Sequence, residues 1–504
     1  MQIISITRRT IMRENIYDKI KQDMASKVKK NYLYNLFYQI ILVIVPVVTT
    51  PYLSRVLGSE NVGIYSFTLS IVTYFTLIGS LGVGLYGRRE IAKHQDNLKE
   101  RTEAFWQINI LKWITIILSL VVYFFVCIQN GGYSVIYTIL ILEILSSAFD
   151  ITWYFQGLEN FKSITVRNTI IKALSVVAIF AFVRTNADLW IYVLIHSASD
   201  LLGNLSLWTI LPKYIHKSMP KIRNARKHFL PIIGMFLPQV AIQVYTVLDK
   251  TMLGLLVKDM SETGIYEQSQ KIVKITLALV TSLGTVMVPR IASLHAKNEH
   301  KEISKEFEKA FHLVWYLALP ICFGIIALAP NIVPWFLGEE FLGAIPVMQL
   351  GAFLMISIGL NNVTGIQCLI PIGKENLFTI SVVIGAIVNF IGNLFLIPLY
   401  GANGAIISSV AAETVIFIVQ LFMVKGMITA KNIFNKFPKP FIASMIMLLV
   451  TYFMCIKLNP TIINSAIIGA VGVATYGITT LLLKEDWTVK YLKTGLKLLK
   501  RGKR

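Results

Sequence analysis

Ionisable side chains stand inside otherwise apolar runs of this chain: Lys112, Lys172, Lys250, Lys271 and Lys274; Glu143, Asp150, Asp200, Asp249 and Glu413; and His196. A charge at the centre of a bilayer costs at least about 2.5–3.5 kcal/mol, so residues of this kind face an interior and are candidates for binding or moving charge. The densest group is Gln243, Asp249 and Lys250, followed in the next run by Lys271 and Lys274. Neighbours on a helix point about 100° apart, so Asp249 and Lys250 face different ways: one meets a neighbouring helix, the other a cavity. Lys271 and Lys274 are three apart and share a face. Three such lysines make a cationic wall suited to an anion, with Asp249 expected as an internal ion-pair partner. The bland alternative is that the lysines lie near helix ends and snorkel to the interface. His196 and Asp200 are four apart, which fits a hydrogen-bonded pair or a proton relay; two donors do not make a metal site. Glu143 and Asp150, seven apart, share a face and would be satisfied by Lys172 or Lys112.

The elements that position these residues follow from composition. Of 504 residues 55% are hydrophobic and only 15% charged, with a mean hydropathy of +0.64; a soluble chain carries about 25% charged residues. Windows of about twenty apolar residues recur along the whole length, each enough to cross about 30 Å of hydrocarbon as a helix. Spanning strands would be about ten residues long and alternate in polarity, which these runs do not. The expected fold is an all-α polytopic membrane protein of about fourteen transmembrane helices. Its expected organisation is a basic cytoplasmic N-terminus (1–32), a first six-helix lobe (33–211), a basic cytoplasmic linker (212–229), a second six-helix lobe (230–424), two further helices (441–483) and a basic tail (484–504).

The formal charge of +21 would suit nucleic acid, but its distribution points elsewhere. About 39 of the 48 lysines and arginines fall in the termini and even-numbered loops, and about 4 in the odd-numbered loops. That asymmetry puts both termini in the cytoplasm of a cell-membrane protein and argues against a nucleic-acid partner. Cys127, Cys322, Cys368 and Cys455 each stand alone in apolar runs, without metal spacing; no cofactor is expected. The residues before Asn31 are polar and basic and do not read as a cleavable signal, and Met24 is an alternative start.

The chain also repeats itself. Val62-Gly63-Ile64-Tyr65, followed by Ser70-Ile71-Val72, matches Thr263-Gly264-Ile265-Tyr266, followed by Lys271-Ile272-Val273, at the same spacing and at the same point of the two six-helix groups. An even number of spans per copy keeps both copies in one orientation, related by a pseudo-two-fold axis along the membrane normal, with a site expected between the lobes. Gly82-Val83-Gly84-Leu85-Tyr86-Gly87 fits a dinucleotide fingerprint but lies at the end of a membrane helix, so it is read as helix packing.

Several segments resemble the Wzx-type polysaccharide flippases, the oligosaccharide-lipid exporters of the MOP superfamily. They are Leu57-Gly58-Ser59-Glu60-Asn61-Val62-Gly63-Ile64-Tyr65, Leu248-Asp249-Lys250-Thr251-Met252-Leu253-Gly254, Thr263-Gly264-Ile265-Tyr266, Val288-Pro289-Arg290-Ile291, Leu337-Gly338-Glu339-Glu340-Phe341 and Gly401-Ala402-Asn403-Gly404-Ala405. The resemblance implies a V-shaped bundle of two lobes around a central cavity. It also implies movement of undecaprenyl-pyrophosphate-linked oligosaccharide repeat units to the outer leaflet for surface polysaccharide biosynthesis. Lys250, Lys271 and Lys274 would then meet the pyrophosphate, with Asp249 and Gln243 beside them and Arg55, Arg88, Arg89 and Arg290 near the mouths. His196, Asp200 and Asp249 are the candidates for proton or sodium coupling. The expected partners are the lipid-linked oligosaccharide, membrane lipids and the polysaccharide polymerase machinery. Alternatives are a lipid II flippase or a cation-coupled multidrug antiporter of the same superfamily. A membrane-embedded enzyme such as a polysaccharide polymerase is disfavoured, because the sequence offers no nucleophile–base pair and its outer loops carry almost no charge; the protein is expected not to be an enzyme.

Overall fold

A chain segment in hydrocarbon must satisfy its own backbone N–H and C=O groups, and a single apolar run does this only as a helix. The structure, a computed structural model, describes residue 41 and residues 44–129, 132–216, 222–281 and 284–490. The basic N-terminus with Met24, the start of the first span, the middle of the basic linker and the end of the tail lie outside the described residues.

The helices in chain order are α1 (Ile44–Lys93), α2 (Leu98–Ile128), α3 (Ser134–Gly157) and α4 (Phe161–Phe182). Then come α5 (Leu189–Ile210), α6 (Arg226–Leu256), α7 (Met260–Thr281), α8 (Gly284–Ala296) and α9 (His300–Phe336). The last four are α10 (Ala344–Leu369), α11 (Glu375–Met423), α12 (Ala430–Lys457) and α13 (Ile462–Leu482). Among the described residues, nine helices are long and apolar enough to cross a bilayer, namely α1 to α4 and α9 to α13. The helices between them, α5 to α7, carry His196, Asp200, Asp249, Lys250, Lys271 and Lys274. The protein is thus an all-helical, multi-pass membrane protein.

Helices α1 and α11, of 50 and 49 residues, exceed twice the about twenty that one passage needs. Each is broken by a glycine in the left-handed region, Gly58 at φ 76° and Gly401 at φ 54°. A carboxylate holds each turn. The Ser59 N–H donates to Glu340 at 3.1 Å and the Ala402 N–H to Glu262 at 2.7 Å. A Cβ on either glycine would run into that same carboxylate. With two passages each for α1 and α11, and one each for α5, α6 and α7, the described helices are consistent with the about fourteen spans expected.

By contact the chain forms two units. The first comprises Val72–Arg184 and Trp190–Leu237 with α1 up to Val48; the second comprises Thr49–Ile71, Thr185–Leu189 and everything from Pro238 onward. The core of the first is aromatic: Phe105 stacks on Trp153 at 5.6 Å and meets Tyr154 edge-on at 5.0 Å. Lys112 is buried here, but its ammonium donates to the backbone carbonyl of Asp150, at 2.6 Å, and not to a carboxylate as the sequence suggested. The Asp150 carboxylate caps the next helical turn instead, accepting from the Thr152 N–H at 2.8 Å and its hydroxyl at 2.5 Å.

In the second unit α12 and α13 pack on α9. Beyond α13 the buried Glu485 locks the end of this packing: His312 Nε2 lies 2.5 Å from Oε1, and the Thr488 N–H donates to Oε2 at 2.9 Å. Burial pushes the Glu485 carboxyl up, but the hydrogen bonds from His312 and from the Thr488 and Trp487 backbone outweigh it and hold the group at about 2. A carboxyl depressed by folding stabilises above its ordinary value of 4.5 and loses that contribution as pH falls toward about 2. The melting temperature of the wild type in detergent should therefore drop more steeply between pH 5 and pH 3 than that of Glu485→Gln, which should start lower at pH 7. Parallel pH profiles would remove this role from Glu485.

Candidate functional site

The glycines of the sequence repeat position the site. Segments 62–65 on α1 and 263–266 on α7 cross within the second unit, backbone against backbone. A Cβ on Gly63 would overlap the carbonyl of Met260, and one on Gly264 the carbonyl of Ser59. The close crossing sets Ser66 beside α7 and Ser70 Oγ 2.8 Å from Thr251 Oγ1 on α6.

Asp249 and Lys250 turn to different neighbours, as their angular offset requires. The Lys250 ammonium pairs with Glu267 on α7. Lys271 reaches the same carboxylate at 3.4 Å, and Ser66 Oγ donates to it at 3.1 Å. Lys274 is exposed one turn further along, and among the described residues no carboxylate lies within 4 Å of it. Three ammonium groups against one carboxylate leave a net charge of +2 on this face of α6 and α7. Glu267 does not stand out in the sequence, because it falls at the polar start of its apolar run; its spacing of four from Lys271 is the signal that finds it.

Asp249 is buried among neutral groups, which corrects the expected ion pair. Its Oδ1 accepts from Asn389 at 3.0 Å and Asn393 at 2.7 Å, both on α11, and its Oδ2 accepts from Ser409 at 2.5 Å and from the Tyr266 hydroxyl. Amides and hydroxyls satisfy a carboxylate without adding charge. Asn393 Oδ1 is buried and has no hydrogen-bond partner among the described residues. Four neutral donors, two amide N–H groups and two hydroxyls, thus converge on the Asp249 carboxylate. Glu413, further along α11, accepts from Tyr245 at 2.9 Å and from Asn361.

A second polar cluster lies in the first unit. His196 Nδ1 on α5 is 3.1 Å from Glu143 Oε1 on α3 and 4.0 Å from Asp200 Oδ2, and Lys172 on α4 donates to Asp200 at 3.2 Å. The nearer partner of His196 is thus Glu143, not Asp200, and Lys172 serves Asp200, not Glu143 or Asp150. Glu143, His196 and Asp200 present ligand atoms within 4.8 Å of one another, so the structure adds a third donor to the pair read from sequence. Two carboxylates thus stand against one ammonium in this cluster.

The remaining candidates stand apart from these clusters. Gln243 is exposed on α6, its carbonyl accepting from Thr246 at 2.8 Å. Arg55 donates to the carbonyl of Trp335. Arg290 pairs with Glu306 at 2.8 Å. Arg88 and Arg89 are exposed in the first unit, Arg89 lying 5.7 Å from the centre of the Tyr86 ring.

Residues 28–295, just over half of the chain, match the family described as "Polysaccharide biosynthesis protein". The chain belongs to that family. It is 23% identical over 403 residues to the "Putative O-antigen transporter" of Escherichia coli (strain K12), covering 79% of this chain and 97% of the relative. Two solved structures share its fold. One is "Lipid II flippase MurJ, inward closed conformation", with a TM-score of 0.70 and 17% identity over 90% of this chain and 99% of that one. The other is "Inward-facing conformation of a multidrug resistance MATE family transporter of the MOP superfamily", with a TM-score of 0.59 and 12% identity over 76% of this chain and 95% of that one. Identities this low show the fold alone. The family match agrees with the resemblance to polysaccharide biosynthesis proteins drawn from the sequence, and the two structures show that the chain shares their fold.

Proposed function

We propose that this protein is a flippase of the cytoplasmic membrane, with both termini in the cytoplasm. It carries undecaprenyl-pyrophosphate-linked oligosaccharide repeat units to the outer leaflet by alternating access. The observation that carries this reading is the face of net charge +2 formed by Lys250, Lys271 and Lys274 around Glu267 on α6 and α7. A pyrophosphate is dianionic or more, and in a weakly screened medium its attraction to such a face is several times stronger than in water. Glu267 holds Lys250 and Lys271 in place while leaving Lys274 available. Near-complete coverage of the O-antigen transporter relative supports a glycan-lipid cargo.

The lipid half of the cargo is supported by a second feature. Helices α9, α12 and α13 line an apolar cavity of about 480 Å3, with Pro320, Gly324, Met447, Gly472, Val473 and Tyr476 on its walls. The apolar lining suits a segment of a hydrocarbon chain better than a charged group. This favours a lipid carrier over the multidrug antiporter, whereas lipid II remains the rival that only the cargo separates.

Coupling is assigned to two places: a small cation or proton at Asp249 with Asn389, Asn393 and Ser409, and a proton at His196 with Glu143 and Asp200. Replacing each of Asp249, His196 and Asp200 by its amide or by glutamine should flatten the dependence of transport on external pH between 6 and 8, or on sodium, at one site at least. Transport unchanged in all three variants would end the coupling assignment.

The cargo is identified by deleting the gene in its native host and analysing the lipid-linked species that accumulates. Undecaprenyl-pyrophosphate oligosaccharide retained on the cytoplasmic leaflet, with loss of surface polysaccharide, is the expected result. Accumulated lipid II would move the protein to peptidoglycan export, and unaltered lipids with changed sensitivity to toxic cations would overturn the flippase reading.

A further inference from the structure

Between α4 and α5 the first unit holds a cavity of about 600 Å3 that is apolar on one side and cationic at one end. Its aliphatic wall is Val166, Ile170, Ile171, Leu207 and Ile210. Val166 and Ile170 are 44% and 53% exposed, so in a bilayer this wall opens to lipid. The polar end carries Lys162, Ser163, Arg167 and Tyr214, and among the described residues that line the cavity there is no carboxylate.

This end is built, not frayed. Tyr214 Oη accepts from Asn160 at 3.0 Å, while the Tyr214 carbonyl accepts from the Tyr154 hydroxyl at 2.7 Å and from Arg101 at 2.8 Å. The Arg167 guanidinium is aimed by Asn204, which accepts from it at 2.9 Å and is itself anchored to the Ser146 carbonyl at 3.0 Å. An adjoining polar cavity of about 350 Å3 shares Arg167 and Ile171. Of its two carboxylates Asp200 pairs with Lys172, while Asp150 accepts from Thr152 and keeps its charge. By the positive-inside reading this end lies at the cytoplasmic face, where the basic linker begins.

We infer that the α4–α5 groove is a binding site for one anionic phospholipid, its acyl chain on the aliphatic wall and its phosphate between Lys162 and Arg167. A basic pocket between spanning helices at the cytoplasmic face is the arrangement that holds an anionic headgroup against competing zwitterionic lipid. The site is independent of the cargo: it would hold the helices of the first unit together whatever the protein exports.

The test titrates the purified full-length protein with phosphatidylglycerol or phosphatidylcholine, counting bound lipid by native mass spectrometry and following the melting temperature. The wild type should retain one phosphatidylglycerol with a preference of about tenfold. The Lys162→Gln/Arg167→Gln double variant should lose that preference, and Arg167→Lys should keep most of it. Because Arg167 also bonds Asn204, the single Lys162→Gln change at an exposed side chain decides the matter if the double variant does not fold; it should lower the preference severalfold. Equal binding of both lipids by the wild type, or an undiminished preference in the lysine variant, overturns the inference. Undecaprenyl phosphate displacing phosphatidylglycerol through the same two residues also overturns it, because the groove would then belong to the cargo path.

Discussion

Glu267→Ala is expected to destabilise the folded protein by about 3–5 kcal/mol, because it leaves Lys250 and Lys271 inside the membrane segment without their shared partner. The Glu267 side chain is only 14% exposed, so water does little to replace the lost carboxylate. The melting temperature in detergent should fall by several degrees, and the yield of folded protein with it. Glu267→Gln should cost less, since the amide oxygen still accepts from Ser66, even though the lysines then repel each other across a neutral group. Adding Lys250→Met to Glu267→Ala should recover part of the loss, as the second unpaired charge is removed. An unchanged melting curve for Glu267→Ala would mean that the lysines do not depend on it, and the net charge of that face would need revision.

Alanine at Gly63 or Gly264 is expected to abolish export, with at least a tenfold loss. In an exposed helix, glycine to alanine normally stabilises by about 0.5–1 kcal/mol. Here the sign reverses, because each new methyl would occupy the position of a backbone carbonyl on the crossing helix. Carbonyls cannot rotate away as side chains do, so α1 and α7 must separate, taking Ser66 from Glu267 and Ser70 from Thr251. Gly84→Ala is the control, since a Cβ there meets nothing within 4 Å. Export measured as surface polysaccharide should survive Gly84→Ala and fail in the other two. Equal tolerance at all three positions would show that the crossing is not required.

Legibility in the sequence followed the cost of each group in lipid. Apolar runs and the charges within them are expensive to misplace, so the helical fold and the interest of Lys250, Lys271, Lys274, Asp249 and His196 could be read directly. Their partners could not. Asn389 and Asn393 are cheap neutral amides about 140 positions away from Asp249, and nothing in local spacing joins them. Glu143 finds His196 only because α3 and α5 pack together. Arg290 reads as a mouth residue because it ends an apolar run; in the structure Glu306, on the following helix, takes it. The Gly-Ile-Tyr repeat was visible as a pattern, but its physical reason, a backbone crossing with no room for a Cβ, exists only in three dimensions.

The most direct test of the central claim is translocation in vesicles. Purified protein reconstituted with labelled undecaprenyl-pyrophosphate oligosaccharide should equilibrate the label between leaflets. The Lys250→Gln/Lys271→Gln/Lys274→Gln variant, folded and inserted to the same extent, should not. Full translocation by the triple variant would contradict the assignment of the pyrophosphate to the lysine face around Glu267.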